Sequence, residues 1–196
     1  MSVRIIVPHR GLAAAKTRLA PVLDDAEREA LTLRLLQGVL RVAREACPDV
    51  VVISPSAALE PVVAAEGARL IVQRGMGLNA GLEQARADAI SDGITTLAVL
   101  HGDLPNLLAD DVRALIAVAA GGVAIAADRA GSGTNGLALT PPDLIPFSFG
   151  IGSHAAHLAA AAERGAPATE VQRPGLAFDL DTPADLARWL ELGSAA

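Results

Sequence analysis

Thr95-Thr96-Leu97-Ala98-Val99-Leu100-His101-Gly102-Asp103-Leu104-Pro105 is an apolar run that ends in a turn carrying an acid. Residues 95–100 show little polar alternation, which is the pattern of a strand buried on both faces. Runs of the same kind recur at Val3 to Pro8, Val50 to Ile53, Arg69 to Val72, Val123 to Ala127 and Gly136 to Leu139. Helical segments separate them. The longest begins at Asp24, with Glu27 three residues on in capping-box spacing. It places Leu31, Leu35, Val39 and Val42 on one stripe and stops before Pro48. Gly77 to Ile90, Ala109 to Ala119, His154 to Arg164 and Thr182 to Leu190 also read as helices, the last with Thr182 as N-cap and Pro183 at its first position. Strands alternating with helices predict an α/β fold, a mostly parallel sheet with helices on both faces. Such sheets bind ligands at the carboxyl ends of their strands. The informative loops are expected to follow strands, beginning at Pro8, His101, Asp128 and Phe178.

The chain has 196 residues, enough for one domain, and shows no repeat, low-complexity tract or linker, so 1–196 reads as a single unit. A formal charge of -6 argues against general nucleic-acid binding, and 2% aromatic residues leave little for base-stacking platforms. The longest apolar stretch, Ala114 to Ala127, is broken by Gly121-Gly122 and is too short to cross a bilayer. The amino terminus runs straight into a strand with no leader pattern, and the single Cys47 offers no internal disulfide. A cytoplasmic protein without membrane partners is expected. Its many small apolar residues would permit a flat homodimer contact.

The most pointed chemistry lies in Phe178-Asp179-Leu180-Asp181-Thr182-Pro183. In a strand, Asp179 and Asp181 share a face and Leu180 turns into the sheet. Like charges side by side repel, and a divalent cation relieves the repulsion. Asp103 can join them. Three carboxylates at strand ends suggest Mg²⁺ and phosphate chemistry. The plainer accounts are a turn residue for Asp103 and helix-terminus charges for the pair; the second explains one acid better than two.

Other loops add anion-binding chemistry. Lys16 and Arg18 place two cations after the first strand, a point charge and a fork for phosphate oxygens. Lys16-Thr17 is not a P-loop, because Arg10 and Ala15 stand where that motif needs glycine. Asp128-Arg129-Ala130-Gly131-Ser132-Gly133-Thr134-Asn135-Gly136 is either a hairpin turn or a backbone cradle for an anion, with Thr134 adding a hydroxyl. Phe149-Gly150-Ile151-Gly152-Ser153 leads into a helix with Ser153 at the expected cap, a ready anion site or ordinary capping. Asn79 carries a donor and an acceptor suited to a purine edge, or serves a helix start. No catalytic role attaches to His154 or His157.

Taken in order, these segments resemble one family. They are Val7-Pro8 with Lys16-Thr17-Arg18-Leu19, Gly77-Leu78-Asn79, Asp103-Leu104-Pro105, Gly131-Ser132-Gly133-Thr134-Asn135, Phe149-Gly150-Ile151-Gly152-Ser153 with His157, and Asp179-Leu180-Asp181-Thr182-Pro183 with Asp185-Leu186. The ordered set resembles the 2-phospho-L-lactate and phosphoenolpyruvate guanylyltransferases of deazaflavin coenzyme F(420) biosynthesis, from Val7 to Leu186. The resemblance implies a single nucleotidyltransferase domain of the Rossmann-like GT-A kind. It implies GTP as donor and a phosphorylated three-carbon acid as acceptor: phosphoenolpyruvate, 2-phospho-L-lactate or 3-phosphoglycerate. It implies that Asp103, Asp179 and Asp181 hold Mg²⁺, and that Thr134, Gly150 and Ser153 hold the acceptor. Lys16 and Arg18 would face the triphosphate, with Pro8 and Gly11 also on the nucleotide and Gly77 and Asn79 near the guanine; Lys16, Arg18 and Asp103 would be the catalytic residues. The chain departs from the family at His9-Arg10-Gly11, His101-Gly102, His154 and Gly136, and none of these is a proposed metal ligand. Competing readings are a molybdopterin-linked guanylyltransferase or a cytidylyltransferase on the same fold, a glycosyltransferase using a D-x-D metal site, and a non-catalytic nucleotide sensor.

Overall fold

The computed structural model describes residues 2–12 and 16–193. Seven strands form one sheet: β1 (Val3–Pro8), β2 (Val50–Ser54), β3 (Arg69–Val72), β4 (Thr96–Leu100), β5 (Val123–Ala127), β6 (Thr134–Leu139) and β7 (Ala168–Glu170), in the order β3-β2-β1-β4-β6-β5-β7. β1 runs parallel to β2 and β4, β2 to β3, and β5 to β7; β6 alone is antiparallel to its neighbours β4 and β5. Every strand but β6 therefore ends at the same edge of the sheet. The chain winds outward from β1 to β3 and returns to β4 on the other side of β1. The switch point lies between β1 and β4, where open sheets of this type form a crevice.

The helices are α1 (Asp25–Ala46), α2 (Glu60–Ala65), α3 (Leu78–Ser91), α4 (Ala109–Val118), α5 (Ser153–Glu163), α6 (Pro174–Ala177) and α7 (Pro183–Gly193). Alternation along each strand divides the core. Ile5, Val7, Ala98, Leu100 and Ala124 pack with Leu36, Val39 and Leu40 of α1 and Val112 and Leu115 of α4. Ile6, Leu97, Val99 and Ile125 face the other way, onto Leu82 and Ala85 of α3 and Ala161 of α5. Both faces are thus covered, which is why the strands carry so few polar side chains. The capping box at Asp24 and Glu27 forms as the spacing predicts. Among the described residues no helix is long and apolar enough to cross a membrane.

Two expectations need correction. Residues 178–181 are not a strand: the segment follows the short helix α6 and lies extended beside the loop after β4, where the Leu180 amide donates to the Asp103 carbonyl at 3.1 Å. Leu180 does not turn into the sheet either. It is fully buried in a third apolar cluster with Leu19, Leu31 and Leu35, below α7. An extended loop has the same two-residue alternation as a strand, so Asp179-Leu180-Asp181 carries no signal that separates them. The Ala168–Glu170 strand and the α2 and α6 helices are short additions, two of them with proline in the first turn, that the periodicity did not announce.

Candidate active site

The crevice at the switch point is a cleft of about 960 Å³, lined by Pro8, Gly11, Lys16 and Arg18 after β1, by Gly77 before α3, and by His101, Asp103 and Asp181. The first loop leaves the sheet with its geometry fixed. The His9 amide donates to the Ile53 carbonyl at 2.9 Å, and His9 Nδ1 accepts from the Gly11 amide at 3.0 Å. Gly11 has φ +92°, a conformation that side chains rarely adopt. Residues 13–15 lie outside the described part. Lys16 then stands at φ 53°, the one left-handed non-glycine among the described residues, a strain typical of functional segments.

That backbone aims the Lys16 ammonium inward. Its side chain is only 7% exposed, and Nζ donates to Asp103 Oδ2 at 2.5 Å and to Asp181 Oδ1 at 2.7 Å. Burial alone would lower the lysine pKa, but the two carboxylates outweigh it and raise the value. Asp103 moves the opposite way: burial pushes its pKa up, and Lys16, with a smaller contribution from His101, holds it below the ordinary carboxylate range. Asp103 Oδ2 is thus engaged, whereas Oδ1 is buried with no hydrogen-bond partner among the described residues. Arg18 is 74% exposed and reaches Asp181 Oδ2 only at 3.9 Å. Of the two cations, one is locked between acids and the other stands at the rim.

Asp179 sits behind this pair. Asn135 on β6 donates from Nδ2 to Asp179 Oδ1 at 3.2 Å and to the Leu176 carbonyl at 3.0 Å. Burial raises the Asp179 pKa, the Asn135 hydrogen bond opposes this, and the negative charges of Asp103 and Asp181 raise it further. The three acids therefore feel one another, yet they do not form a finished cage: among the described residues no group of three or more His, Cys, Asp or Glu side chains is arranged to hold a metal ion. A lysine lies between two of them.

The backbone at Asp181 is held by a residue the sequence reading passed over. Asp185, 6% exposed at its side chain, accepts from the Thr182 amide at 2.9 Å, the Thr182 hydroxyl at 2.7 Å, the Asp181 amide at 3.3 Å and Arg129 at 2.7 Å. Burial would raise its pKa, and these donors together bring it below the usual value. The spacing of Thr182 and Asp185 is that of a capping box and was available as a signal.

On the other side of the cleft the expected acceptor residues take different positions. Thr134 and Ser153 are both buried, 1% exposed, and Gly150 is exposed at φ +134°. None of the three lines the cleft. Ser153 is not the cap of α5; that position belongs to Gly152 in the left-handed conformation, and Ser153 begins the helix. Thr134 Oγ1 meets His157 Nδ1 at 3.1 Å, and His157 Nε2 accepts from the Ser148 amide at 3.1 Å. His157 is fully buried, and its pKa is lowered to about 4 by burial and, less, by His154. It is neutral, with the proton on Nδ1 donated to Thr134. Asn79 does not line the cleft; its amide is spent on Phe149, donating to the carbonyl at 3.0 Å and accepting from the amide at 2.9 Å. The Gly77–Asn79 turn is thereby tied to the segment that leads into α5.

Comparison with known proteins places the chain in a family. A family described as "Guanylyl transferase CofC like" matches residues 3–195. The chain is 46% identical over 191 residues to a phosphoenolpyruvate guanylyltransferase of Rubrobacter xylanophilus, covering 96% of this chain and 93% of that protein. It is 29% identical over 189 residues to a 3-phospho-D-glycerate guanylyltransferase of Colwellia psychrerythraea, covering 95% of this chain and 90% of that protein. A protein of Desulfovibrio desulfuricans assigned as a nucleotide-diphospho-sugar transferase has the same fold, with a TM-score of 0.80 at 18% identity over 98% of this chain and 88% of that one. With a match across almost its whole length, this chain belongs to the CofC-like guanylyltransferases, nucleotidyltransferases built on a mostly parallel α/β sheet.

Proposed function

We propose that the chain transfers GMP from GTP to the phosphate of a phosphorylated three-carbon acid and releases pyrophosphate, within coenzyme F(420) biosynthesis. Phosphoenolpyruvate is the preferred acceptor, since the relative at 46% identity carries that name; 2-phospho-L-lactate, with a methyl on a saturated carbon in place of the methylene, and 3-phosphoglycerate, with a C2 hydroxyl and its phosphate on C3, belong to the same test. The observation that carries the reading is Lys16 clasped between Asp103 and Asp181 at the switch point, with a buried Asp103 oxygen left unpaired.

The acceptor's phosphate oxygen attacks the α-phosphorus of GTP, and the bond between the α-phosphorus and the bridging oxygen breaks toward pyrophosphate. A phosphate nucleophile is already anionic, so no general base is required, which suits a site whose buried histidine is spent on Thr134 and Ser148. The difficulty is to bring two anions together. The donor chemistry suits Mg²⁺ once Lys16 withdraws from between Asp103 and Asp181: three mutually repelling carboxylates and one unpaired buried oxygen are hard donors of the kind that cation takes. Asp103, Asp179 and Asp181 would hold it, and bound there it would screen the approaching oxygens. Lys16 is close enough to the same carboxylates to follow the phosphates, neutralising charge that builds on the leaving pyrophosphate, and Arg18 at the rim offers a second cation to the triphosphate tail. Asp185 and Asn135 keep Asp181 and Asp179 in place.

The test is pyrophosphate release from each nucleoside triphosphate with each phosphorylated acid, with and without Mg²⁺. Turnover with GTP, one of the three-carbon acids and Mg²⁺ is expected. A preference for CTP, transfer from a nucleotide sugar, or GTP binding without turnover would each sink the reading.

A further inference from the structure

His101 is the residue in the cleft with chemistry not yet accounted for. It follows β4 directly, and its amide donates to the Asn135 carbonyl at 3.0 Å, so its backbone is fixed to β6 next to Thr134. Its ring lies 5.6 Å from that of Phe149, and Phe149 in turn meets His157 edge-on at 4.9 Å, the histidine bonded to Thr134. His101 is therefore the point where the nucleotide cleft touches the group of residues around Phe149, His157 and Thr134. Its Nε2 is buried and has no hydrogen-bond partner among the described residues. Asp103 Oδ1, two residues on, is buried and unpaired as well, and the two do not bond each other. A buried polar atom without a partner costs stability, and folds rarely keep one unless something else satisfies it. Two such atoms beside a cleft that must hold anions point to a ligand.

We infer that His101 Nε2 donates a hydrogen bond to an anionic oxygen of the acceptor acid and so sets acceptor affinity at the seam between the two substrates. The inference rests on the function proposed above. An imidazole N–H at Nε2 provides the donor. Its position argues for the acceptor: the ring packs on Phe149, and Phe149 on the His157 that is bonded to Thr134, the hydroxyl expected at the acceptor. Phosphate and carboxylate oxygens of the acid are equivalent partners for an N–H donor.

Steady-state kinetics of two variants test this. His101→Phe keeps the ring against Phe149 and removes the donor; His101→Gln restores a donor without the ring. His101→Phe should raise KM for phosphoenolpyruvate at least about 10-fold, the scale of a hydrogen bond to a charged group, while KM for GTP stays within about 2-fold. His101→Gln should recover a large part of the loss. An unchanged KM for the acid, or a loss that falls on GTP, overturns the assignment. In wild-type protein labelled with ¹⁵N-histidine, the His101 Nε2 resonance should shift when phosphoenolpyruvate is added at about ten times its KM; no shift also overturns it, and this reading survives any folding defect of the variants. A wild-type protein that turns over no nucleotide and acid pair defeats the proposed function instead, a result distinct from wild-type turnover that is indifferent to His101.

Discussion

Strand β1 has a buried cation near each end, and the two differ in how they are satisfied. At its start Arg4, with a side chain 5% exposed, donates to Asp49 at 2.8 Å, Asp88 at 3.1 Å and Asp92 at 2.8 Å. Past its far end Lys16, almost as buried, is held by Asp103 and Asp181 with Asp179 behind. Each group holds three acids, but at the start of β1 Arg69 joins Arg4, reaching Asp88 at 3.2 Å. The Arg4 acids are 34% to 53% exposed, and the planar guanidinium gives each of them a donor. At the other end Asp103 keeps an unpaired buried oxygen, and Asp179 is pushed toward its neutral form. One cluster is complete without a ligand and serves the fold. The other leaves a demand for positive charge unmet at the cleft.

The sharpest way to break this contrast is to remove the acid with the unpaired oxygen. Asp103→Asn, and likewise Lys16→Met, should lower turnover by at least about 100-fold, the scale of one lost electrostatic contact at a reacting phosphate. Arg4→Met should leave turnover per folded molecule within about 2-fold. Equal losses at both ends, read by pyrophosphate release, would dissolve the distinction. In thermal unfolding the order reverses. Arg4→Met should lower the midpoint by about 5 °C, from roughly 1–3 kcal/mol for a cation whose partners are half-solvated.

pH sharpens the contrast from the acceptor side. His157 has a folded pKa of about 4 against an ordinary 6.5, so the unfolded chain binds its proton first as pH falls. Its contribution to stability is present above pH 6.5 and is lost progressively down to about pH 4. Between pH 6.5 and 5.5 the wild-type midpoint should drop by a few degrees more than that of His157→Gln, the response of a domain this size to about 1 kcal/mol. The smallest effect is expected at Asp179. A raised carboxylate pKa means that ionisation weakens the folded state, so Asp179→Asn should raise the midpoint by about 1–2 °C near neutral pH while lowering turnover. A lower midpoint there would mean that Asp179 is a structural acid like those around Arg4.

The sheet was legible because its strands are apolar runs and its helices carry caps and stripes. The seven strands include six at the expected places, and only the three-residue β7, exposed along its length, left no pattern. Of the expected site residues, Pro8, Gly11, Lys16, Arg18, Gly77, Asp103 and Asp181 meet in one cleft, while Asn79, Thr134, Gly150, Ser153 and Asp179 are not in its lining, and the arrangement itself was not legible. Nothing in Asp179-Leu180-Asp181 tells a strand from an extended loop, and nothing in Lys16 foretells that its ammonium sits between two aspartates. Arg4 stood in plain view as a charge inside the apolar strand β1, yet its partners lie 45, 84 and 88 residues away, beyond any local rule. Asn79 shows the converse limit: an amide that suits a purine edge suits a peptide edge equally well, and the fold gives it Phe149.

The small leucine cluster beneath the cleft has a mechanical meaning. Leu19 lies three residues after Lys16, Leu180 lies directly before Asp181, and both are sunk against Leu31 and Leu35 of α1. The ammonium and its counter-charge thus share one footing, and the backbones that bear them are geared to move as a unit. Parting the lysine from its aspartates would take the swivelling of a few side-chain bonds, a quick step, while the chain beneath stays seated.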